Sequence, residues 1–277
     1  MNQEERLKNL LEAFIADSAE YKDLAVEDNV EEERRVLRSL MNIRMPGEIS
    51  EDILRLQDEY LQERAREKGI VSLDDIPTVK EQYGSNIRHT DVISIWQGDI
   101  TRLKVGAIVN AANSQMLGCF VPMHTCIDNC IHTFAGVQLR KECNDYMVKM
   151  RASKGRSYEE PTGHAVVTKG YNLPAEYVIH TVGPIVQENV TPKLEDDLQN
   201  CYVSCLDAAC EKNVRSIAFC CISTGVFHYP NDEAAYIAVK TVCEWLDKHP
   251  KAMDRVVFNV FKDIDLELYK KVLECRA

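Results

Sequence analysis

The feature that most constrains the fold of this chain is an alternation of short β-rich runs with helical patterns, which begins after Asp91. Between the runs, apolar residues recur at helical spacing, as they do in residues 198–209 and 238–246. Strands that alternate with helices predict an α/β layer fold, in which helices cover both faces of a largely parallel sheet. The predicted strands are Val92–Trp96, Ala107–Val109, Ala165–Thr168, Tyr177–Thr181, Ser216–Cys220 and Val256–Phe261.

A sheet of this kind restricts where a ligand binds. Parallel strands bring their carboxyl ends to one edge of the sheet, and ligands bind in the crevice beyond those ends. We therefore look for functional side chains in the loops that directly follow the predicted strands.

The first 83 residues have a different pattern and are predicted to be helical. Apolar residues within 7–14 follow the spacing i, i+3, i+4, i+7, which is one stripe of an amphipathic helix. A second stripe lies within residues 36–40. A third helix is predicted to begin after Ser50 as its N-cap and to end at Gly69.

We interpret residues 1–88 as a helical N-terminal extension packed on the main domain, and residues 89–277 as that domain. A module that binds a partner protein is the alternative interpretation of the extension. The length of 277 residues suits one large domain with an appendage, since single cores stop growing at about 250–300 residues.

Charge and hydropathy exclude several classes of protein. The net charge of −11 argues against non-specific binding to nucleic acid, because neutralising phosphates needs a surplus of Lys and Arg. No stretch of the sequence approaches the roughly 18 uninterrupted apolar residues of a membrane span, and the polar N-terminus lacks a secretory signal. We expect a cytoplasmic protein that binds neither nucleic acid nor a membrane.

The 11 cysteines are odd in number, and all lie at or after Cys119. With no export signal, we expect a reducing compartment in which thiols stay free. The cysteines are therefore predicted to be buried small side chains, metal ligands or reactive groups, not a disulfide framework.

Cys119, His124 and Cys126 lie in one loop at the spacing i, i+5, i+7. Two thiolates and an imidazole are a ligand set that suits zinc. A structural zinc site usually has four protein ligands, whereas a catalytic one has three and an open position, so three ligands favour catalysis. The alternative is a set of buried cysteines near a histidine. Nearby residues that compete as ligands are Cys130, His132 and Cys143.

The segment Cys220–Pro230 follows a predicted strand and precedes a helix that is predicted to begin at Asn231. Backbone N–H groups converge in a small-residue loop of this kind, and the helix dipole favours negative charge, so the segment is typical of a phosphate site. It matches neither G-x-x-x-x-G-K-[ST] nor G-x-G-x-x-G, which argues against an ATPase and an ordinary dinucleotide-binding fold.

Two further loops carry polar side chains after predicted strands. Gly98-Asp99 is common turn chemistry and is a weak signal alone. Asn110-Ala111-Ala112-Asn113 places two carboxamides beside small residues that let a ligand approach closely. A pair of Asx turns is the alternative interpretation of this segment.

Several of these segments occur together in a recognisable order between residues 90 and 275. They are Gly98–Thr101, Ala107–Asn113, Cys130–His132 with Ala135-Gly136, Gly163–Ala165, His180–Pro184 and Ile222–Phe227. Together they resemble the macrodomain family of ADP-ribose-binding and ADP-ribose-hydrolysing proteins. The resemblance implies a macrodomain-like three-layer α/β/α sandwich with a mixed, mostly parallel central sheet, preceded by a helical N-terminal extension.

One stretch departs from the usual macrodomain pattern. Most macrodomains carry a run of glycines after the Asn-Ala-Ala-Asn segment, and here only Gly118 remains before Cys119. The replacement resembles the zinc-containing bacterial subclass of macrodomain hydrolases, which also carry a helical N-terminal extension. The resemblance implies one zinc ion per chain, bound by Cys119, His124 and Cys126.

The resemblance also implies a role for matching residues. Asp99 would accept a hydrogen bond from the adenine amino group, and Phe261 would line the adenine side. Backbone amides of the loop from Ser223 would hold the diphosphate, and Asn113 and Asp128 would lie at the distal ribose. The ADP-ribose-binding residues implied in this way are Asp99, Ile100, Asn113, Cys126, Ile127, Asp128, Ser223, Thr224, Gly225, Val226 and Phe227.

The implied activity is zinc-dependent hydrolysis that removes mono-ADP-ribose from a modified protein side chain and releases ADP-ribose. Asn113 and Asp128 would be catalytic: Asn113 would fix the ribose ring, and Asp128 would act as general base or stabilise an oxocarbenium-like sugar. Bound zinc would orient a ribose hydroxyl or lower the pKa of a water. Two alternatives stay open: a module that binds ADP-ribose without cleaving it, and a zinc-stabilised scaffold whose acidic helical region recruits a partner.

The zinc subclass also suggests partners. It resembles proteins that act opposite a sirtuin-type ADP-ribosyltransferase, with a lipoyl-carrier protein as the modified target. The resemblance therefore implies a mono-ADP-ribosylated protein as substrate and a sirtuin-type transferase as functional counterpart.

Overall fold

The computed structural model describes residues 1–275, which fall into two compact units. The first unit comprises residues 1–69, 116–158 and 171–173, and the second comprises residues 70–115, 159–170 and the chain from residue 174 onward. The helices are α1 (Gln3–Asp17), α2 (Val30–Ile43), α3 (Glu51–Lys68), α4 (Val79–Tyr83), α5 (Ile127–Ala135), α6 (Val137–Lys154), α7 (Pro192–Glu211), α8 (Asn231–Lys248) and α9 (Asp263–Val272). The strands are β1 (Val71–Ser72), β2 (Ile93–Gln97), β3 (Leu103–Lys104), β4 (Ala107–Ala112), β5 (Ala165–Lys169), β6 (Tyr177–Val182), β7 (Ser216–Phe219) and β8 (Arg255–Val260).

The first unit has an apolar core to which α1, α2 and α3 all contribute. The stripe predicted on α1 is buried, since Leu7, Leu10 and Phe14 are at most 2% exposed and pack with apolar residues of α2 and α3. Local signals fix the ends of α3, because Ser50 caps its first turn and Gly69 follows its last residue with φ +81°. The helical N-terminal region predicted from the sequence is therefore confirmed for α1–α3.

The second unit is built on a six-stranded sheet in the order β2-β8-β7-β4-β6-β5. Neighbouring strands are parallel except for β5, which runs antiparallel to β6. Parallel strands need crossover connections, and α7 and α8 supply them between β6 and β7 and between β7 and β8. The predicted α/β sandwich with a mixed, mostly parallel sheet is confirmed.

The parallel order decides where the loops of the second unit lie. Strands β2, β8, β7, β4 and β6 all run in one direction, so the loops that follow them leave the sheet at one edge. Those loops begin at Gly98, Phe261, Cys220, Asn113 and Gly183. The segments that sequence analysis placed after strands therefore share the carboxyl edge of the sheet.

The structure corrects one boundary among these segments. Asn110, Ala111 and Ala112 were predicted to lie in a loop, but they belong to β4 and pair with residues 180–182 of β6. Pairing with β6 extends β4 beyond the predicted strand Ala107–Val109. Because the partner strand is distant in sequence, no local pattern marks this extension. Only Asn113 of the four-residue segment begins the loop.

The N-terminal region also differs from the prediction in one place. Residues 70–78, expected to be helical, hold β1 and a 3₁₀ helix at Leu73–Asp75. β1 is only two residues long and forms because Val71 and Ser72 pair in parallel with β3. Within residues 1–275, no helix combines the length and the apolar character that crossing a membrane requires.

His180 on β6 is fully buried, and both of its ring nitrogens have polar neighbours. Nδ1 lies 3.0 Å from Asn110 Nδ2 on the neighbouring strand, and Nε2 lies 2.9 Å from Thr168 Oγ1. Burial lowers the pKa of His180 to about 3. The ring is therefore neutral in the folded protein at neutral pH.

This burial predicts an acid-dependent loss of stability. An unfolded chain protonates histidine near pH 6.5, whereas the folded chain does so only near pH 3. The free energy of unfolding therefore falls as the pH drops from 6.5 toward 3, by about 1.4 kcal/mol per pH unit for one proton. In urea unfolding, His180→Gln should reduce the slope of the free energy of unfolding against pH by about 1.4 kcal/mol per pH unit between pH 6.5 and 3. His164→Gln, at a side chain that is 58% exposed, is the matched control; an unchanged slope in His180→Gln would contradict the prediction.

Candidate functional site

The three predicted metal ligands lie together in the first unit. The ligand loop, residues 118–126, carries Cys119, His124 and Cys126, and their ligand atoms all lie within 4.8 Å of one another. Cys119 Sγ is 3.5 Å from His124 Nδ1. All three side chains are half-buried. Cys130, which the sequence offered as a competing ligand, is not one of the described residues whose ligand atoms meet here.

Local features set the path of the ligand loop. Gly118 has φ +77°, and a Cβ at this position would lie 2.8 Å from the His132 ring, so the loop needs glycine there. Met123 has φ +59°, which is unusual for a side chain of its size. Cys126 ends the loop and is also the N-cap of α5, because its Sγ accepts a hydrogen bond from the Asn129 amide at 3.4 Å.

The ligand loop fits a zinc ion by the chemistry of its donors. Two sulfurs and one imidazole nitrogen form the set that zinc prefers, and three protein ligands leave a position for water or substrate. Burial, together with the neighbouring Cys119 sulfur, raises the pKa of the Cys126 thiol to about 12. A divalent cation between the sulfurs would reverse that preference, since a coordinating thiol is deprotonated.

Asp128 lies in the first turn of α5, two residues after Cys126. Its side chain is 8% exposed, and its Oδ1 lies 3.5 Å from His132 Nε2 one turn further along the helix. The positive end of the helix dipole favours a carboxylate at this position. The start of α5 therefore brings together Cys126, Ile127 and Asp128, which sequence analysis assigned to ligand contacts.

In the second unit, the loop after β7 has the character of an anion site. Ser223 is buried with φ +65°, and a side chain on Gly183 would collide with its Oγ. Within the described chain, the amides of Gly225, Val226 and Phe227 donate to no protein acceptor. Free amides in succession form a concavity that suits phosphate oxygens. The amides of the predicted diphosphate loop are therefore available to an anion.

Asp99 and Ile100 follow β2 at the carboxyl edge. Asp99 caps the 3₁₀ helix Ile100–Arg102, and its Oδ1 accepts from the Thr101 amide at 3.0 Å and from the Thr101 hydroxyl at 2.6 Å. These bonds hold the carboxylate in one orientation. Ile100, the next residue, is buried.

Asn113 and Phe261 follow β4 and β8 at the same edge. Asn113 is half-buried, and its Oδ1 accepts from the Gln115 amide at 3.0 Å, which is the Asx turn that sequence analysis weighed as an alternative. Phe261 is 75% exposed, so its ring is available to a ligand. Asp99, Asn113 and the diphosphate loop belong to the second unit, whereas the ligand loop and Asp128 belong to the first.

Sequence analysis missed polar residues that surround the ligand loop. Arg38 and Asn42 of α2 form hydrogen bonds with residues between 123 and 133: Arg38 donates, and Asn42 both donates and accepts. Asn129 of α5 donates to the loop backbone. Arg38 and Asn42 precede the loop by about 80 residues, and no spacing rule connects them to it. Their spacing of four residues, with Arg38 inside the second predicted helical stripe and Asn42 just beyond it, is the only signal that the sequence offers.

Comparison with known proteins identifies the family. The family described as "Macro domain" matches residues 109–238 of this chain. A protein-ADP-ribose hydrolase of Treponema medium is 48% identical over 273 residues, which cover 99% of this chain and 100% of the relative. A protein of the same name from Staphylococcus aureus (strain MRSA252) is 44% identical, and the match covers 96% of this chain and 94% of the relative.

A solved structure supports the same assignment. The Trypanosoma brucei macrodomain in complex with ADP-ribose superimposes with a TM-score of 0.62 at 31% identity, covering 84% of this chain and 94% of that one. Full-length identity near one half, together with the shared fold, settles the relationship: this chain belongs to the macro domain family.

Proposed function

We propose that this protein is a zinc-dependent hydrolase that removes mono-ADP-ribose from a modified protein side chain and releases free ADP-ribose. Relatives that match it over nearly their whole length are named protein-ADP-ribose hydrolases, which supports the reaction. The observation that carries the zinc requirement is the convergence of Cys119, His124 and Cys126 beside the start of α5.

In this proposal the second unit recognises the nucleotide. Asp99 accepts from the adenine amino group, and Phe261 contacts the adenine ring. The amides of Gly225, Val226 and Phe227 donate to the diphosphate, and no protein hydrogen bond has to be broken because they have no acceptor among the described residues. Asn113 holds the distal ribose by its carboxamide.

The chemistry falls to Asp128 and the ligand loop. Hydrolysis breaks the bond between the anomeric carbon of the distal ribose and the protein side chain, through an oxocarbenium-like transition state. Asp128 takes a proton from the attacking water or stabilises the positive sugar. When bound by Cys119, His124 and Cys126, zinc would supply Lewis-acid polarisation of a water or a ribose hydroxyl.

The partners proposed here follow from the resemblance to the zinc-containing subclass. The substrate would be a mono-ADP-ribosylated protein, with a lipoyl-carrier protein as the specific target. A sirtuin-type ADP-ribosyltransferase would attach the group that this protein removes. The net charge of −11 fits a protein substrate better than a nucleic acid.

The first prediction from the proposed function separates hydrolysis from simple binding. Zinc-loaded protein incubated with a mono-ADP-ribosylated protein should release ADP-ribose, measured by chromatography, together with the unmodified target measured by intact mass. Binding of ADP-ribose with no release of it would favour the alternative, a module that recognises the modification without cleaving it.

The second prediction concerns Asp128. Asp128→Asn keeps the size of the side chain but removes the base, so the rate of hydrolysis should fall by about 10²–10⁴-fold while ADP-ribose still binds. Single-turnover rates and calorimetric binding check both parts. Asp145→Asn, at a side chain that is 58% exposed on α6, is the control and should hydrolyse at the wild-type rate. Wild-type turnover by Asp128→Asn would remove Asp128 from the mechanism.

The third prediction concerns Cys126, which is both a proposed ligand and the N-cap of α5. Serine is a favoured N-cap, so Cys126→Ser should keep the helix start and lose only the thiolate. Metal analysis after gel filtration should find about one zinc ion per wild-type chain and almost none in Cys126→Ser, with activity lost in parallel. Cys210→Ser, at a half-buried cysteine on α7, should keep its zinc. Activity that survives complete metal removal would defeat the zinc requirement.

A further inference from the structure

The ligand loop is surrounded by a small set of polar side chains that none of the proposed steps uses. Arg38 and Asn42 lie on one face of α2, at i and i+4, and Asn129 lies in the first turn of α5. Asn42 and Asn129 are at most 1% exposed. Buried amides are costly unless their hydrogen bonds are made, and both side chains bond to the backbone of the loop.

Asn129 contacts the loop at both of its ends. Its Nδ2 donates to the carbonyl of Cys119 at 3.3 Å and to that of Val121 at 3.0 Å. Its backbone amide donates to Cys126 Sγ at 3.4 Å. One residue therefore touches two of the three proposed ligand residues.

Arg38 reaches the third ligand residue and also holds Asn129. Its Nη2 donates to the His124 carbonyl at 2.8 Å and to Asn129 Oδ1 at 2.9 Å, and it lies 3.8 Å from Cys130 Sγ. The bond to Asn129 Oδ1 orients the amide so that its Nδ2 faces the loop carbonyls. Arg38 and Asn129 together thus contact all three ligand residues.

Asn42 holds the intervening residue in an unusual conformation. Its Oδ1 accepts from the Met123 amide at 3.1 Å, and its Nδ2 donates to Thr133 Oγ1 at 2.8 Å. Met123 has φ +59°, a conformation that costs about 1 kcal/mol or more for such a side chain. It directly precedes His124, so its backbone conformation sets the direction in which the chain enters His124.

We propose that Arg38 of α2, acting through Asn129 and the His124 carbonyl, is a positioning residue that holds the ligand loop in its metal-binding geometry. The N-terminal helical region would then set the metal affinity of the loop. This inference rests on the proposed zinc requirement and goes beyond it, because it assigns a function to a helix that carries no ligand. Hydrogen-bond partners of metal ligands typically change affinity by about 10–100-fold when they are removed.

The test uses Arg38→Met, which keeps the stem of the side chain and removes its donors. We expect zinc affinity, measured by competition with a chromophoric chelator, to fall by about tenfold or more. The absorption bands of the Co²⁺-substituted protein should also change, because the ligand geometry changes. Arg35→Met is the matched control, since Arg35 lies on the same helix with a side chain that is 67% exposed and pairs only with Glu32 among the described acidic residues.

A third measurement separates positioning from general stability. Bound zinc raises the thermal midpoint in proportion to the logarithm of its affinity, so the gap between zinc-loaded and zinc-free midpoints should shrink in Arg38→Met. A purely structural role would lower both midpoints and leave the gap unchanged. If Arg38→Met does not fold, Arg38→Lys replaces it, and we expect zinc affinity about threefold below that of Arg35→Lys.

The outcomes are distinguishable. If the wild-type chain binds zinc, and Arg38→Met matches Arg35→Met in affinity, Co²⁺ spectrum and midpoint gap, the positioning role is overturned while the proposed function stands. If the wild-type chain binds no zinc, the proposed zinc requirement is overturned, and this inference with it.

Discussion

The parallel ladder that joins β4 to β6 and β7 is the constraint on which the second unit depends. Parallel strands cannot be joined by tight turns, so the chain returns through α7 and α8 before each next strand is added. Every loop that follows a parallel strand consequently emerges at the same edge. The free amides after β7, the fixed carboxylate of Asp99 and the carboxamide of Asn113 are placed there by topology, although they are far apart in sequence.

The first unit places the three proposed zinc ligands on one short loop that ends at the start of a helix. Cys126 caps α5 and Asp128 lies in its first turn, so the positive end of the helix dipole meets a sulfur and a carboxylate. The helix N-terminus and the Asn129 amide favour the Cys126 thiolate, whereas burial and the Cys119 sulfur outweigh them and raise the pKa of the thiol. A bound cation would therefore have to supply the rest of the stabilisation that the thiolate needs.

Local patterns predicted the strands to within one or two residues at most ends, because buried parallel strands are continuous apolar runs. The proximity of Cys119, His124 and Cys126 could also be expected from the sequence, because all three lie in one loop. Pairing between distant segments was not visible: neither the extension of β4 by β6 nor the strand β1 has a local signal. Arg38 was missed because an arginine on a helix is expected to be a solvated charge unless its contacts are known.

Arg38, Asn42 and Asn129 give the ligand loop a positional precision that apolar packing alone would not provide. Leu37, Leu40 and Met41 of α2 enter the core of the first unit, and dispersion contacts of that kind tolerate small shifts of the partner. A metal site does not tolerate them, since ligands must be held to about half an ångström. Hydrogen bonds are directional, and the side-chain bonds of Arg38 and Asn129 to the loop end on its carbonyls, whereas the Asn129 backbone amide reaches Cys126 Sγ. The side-chain bonds can therefore fix the loop backbone without competing for the proposed ligand atoms.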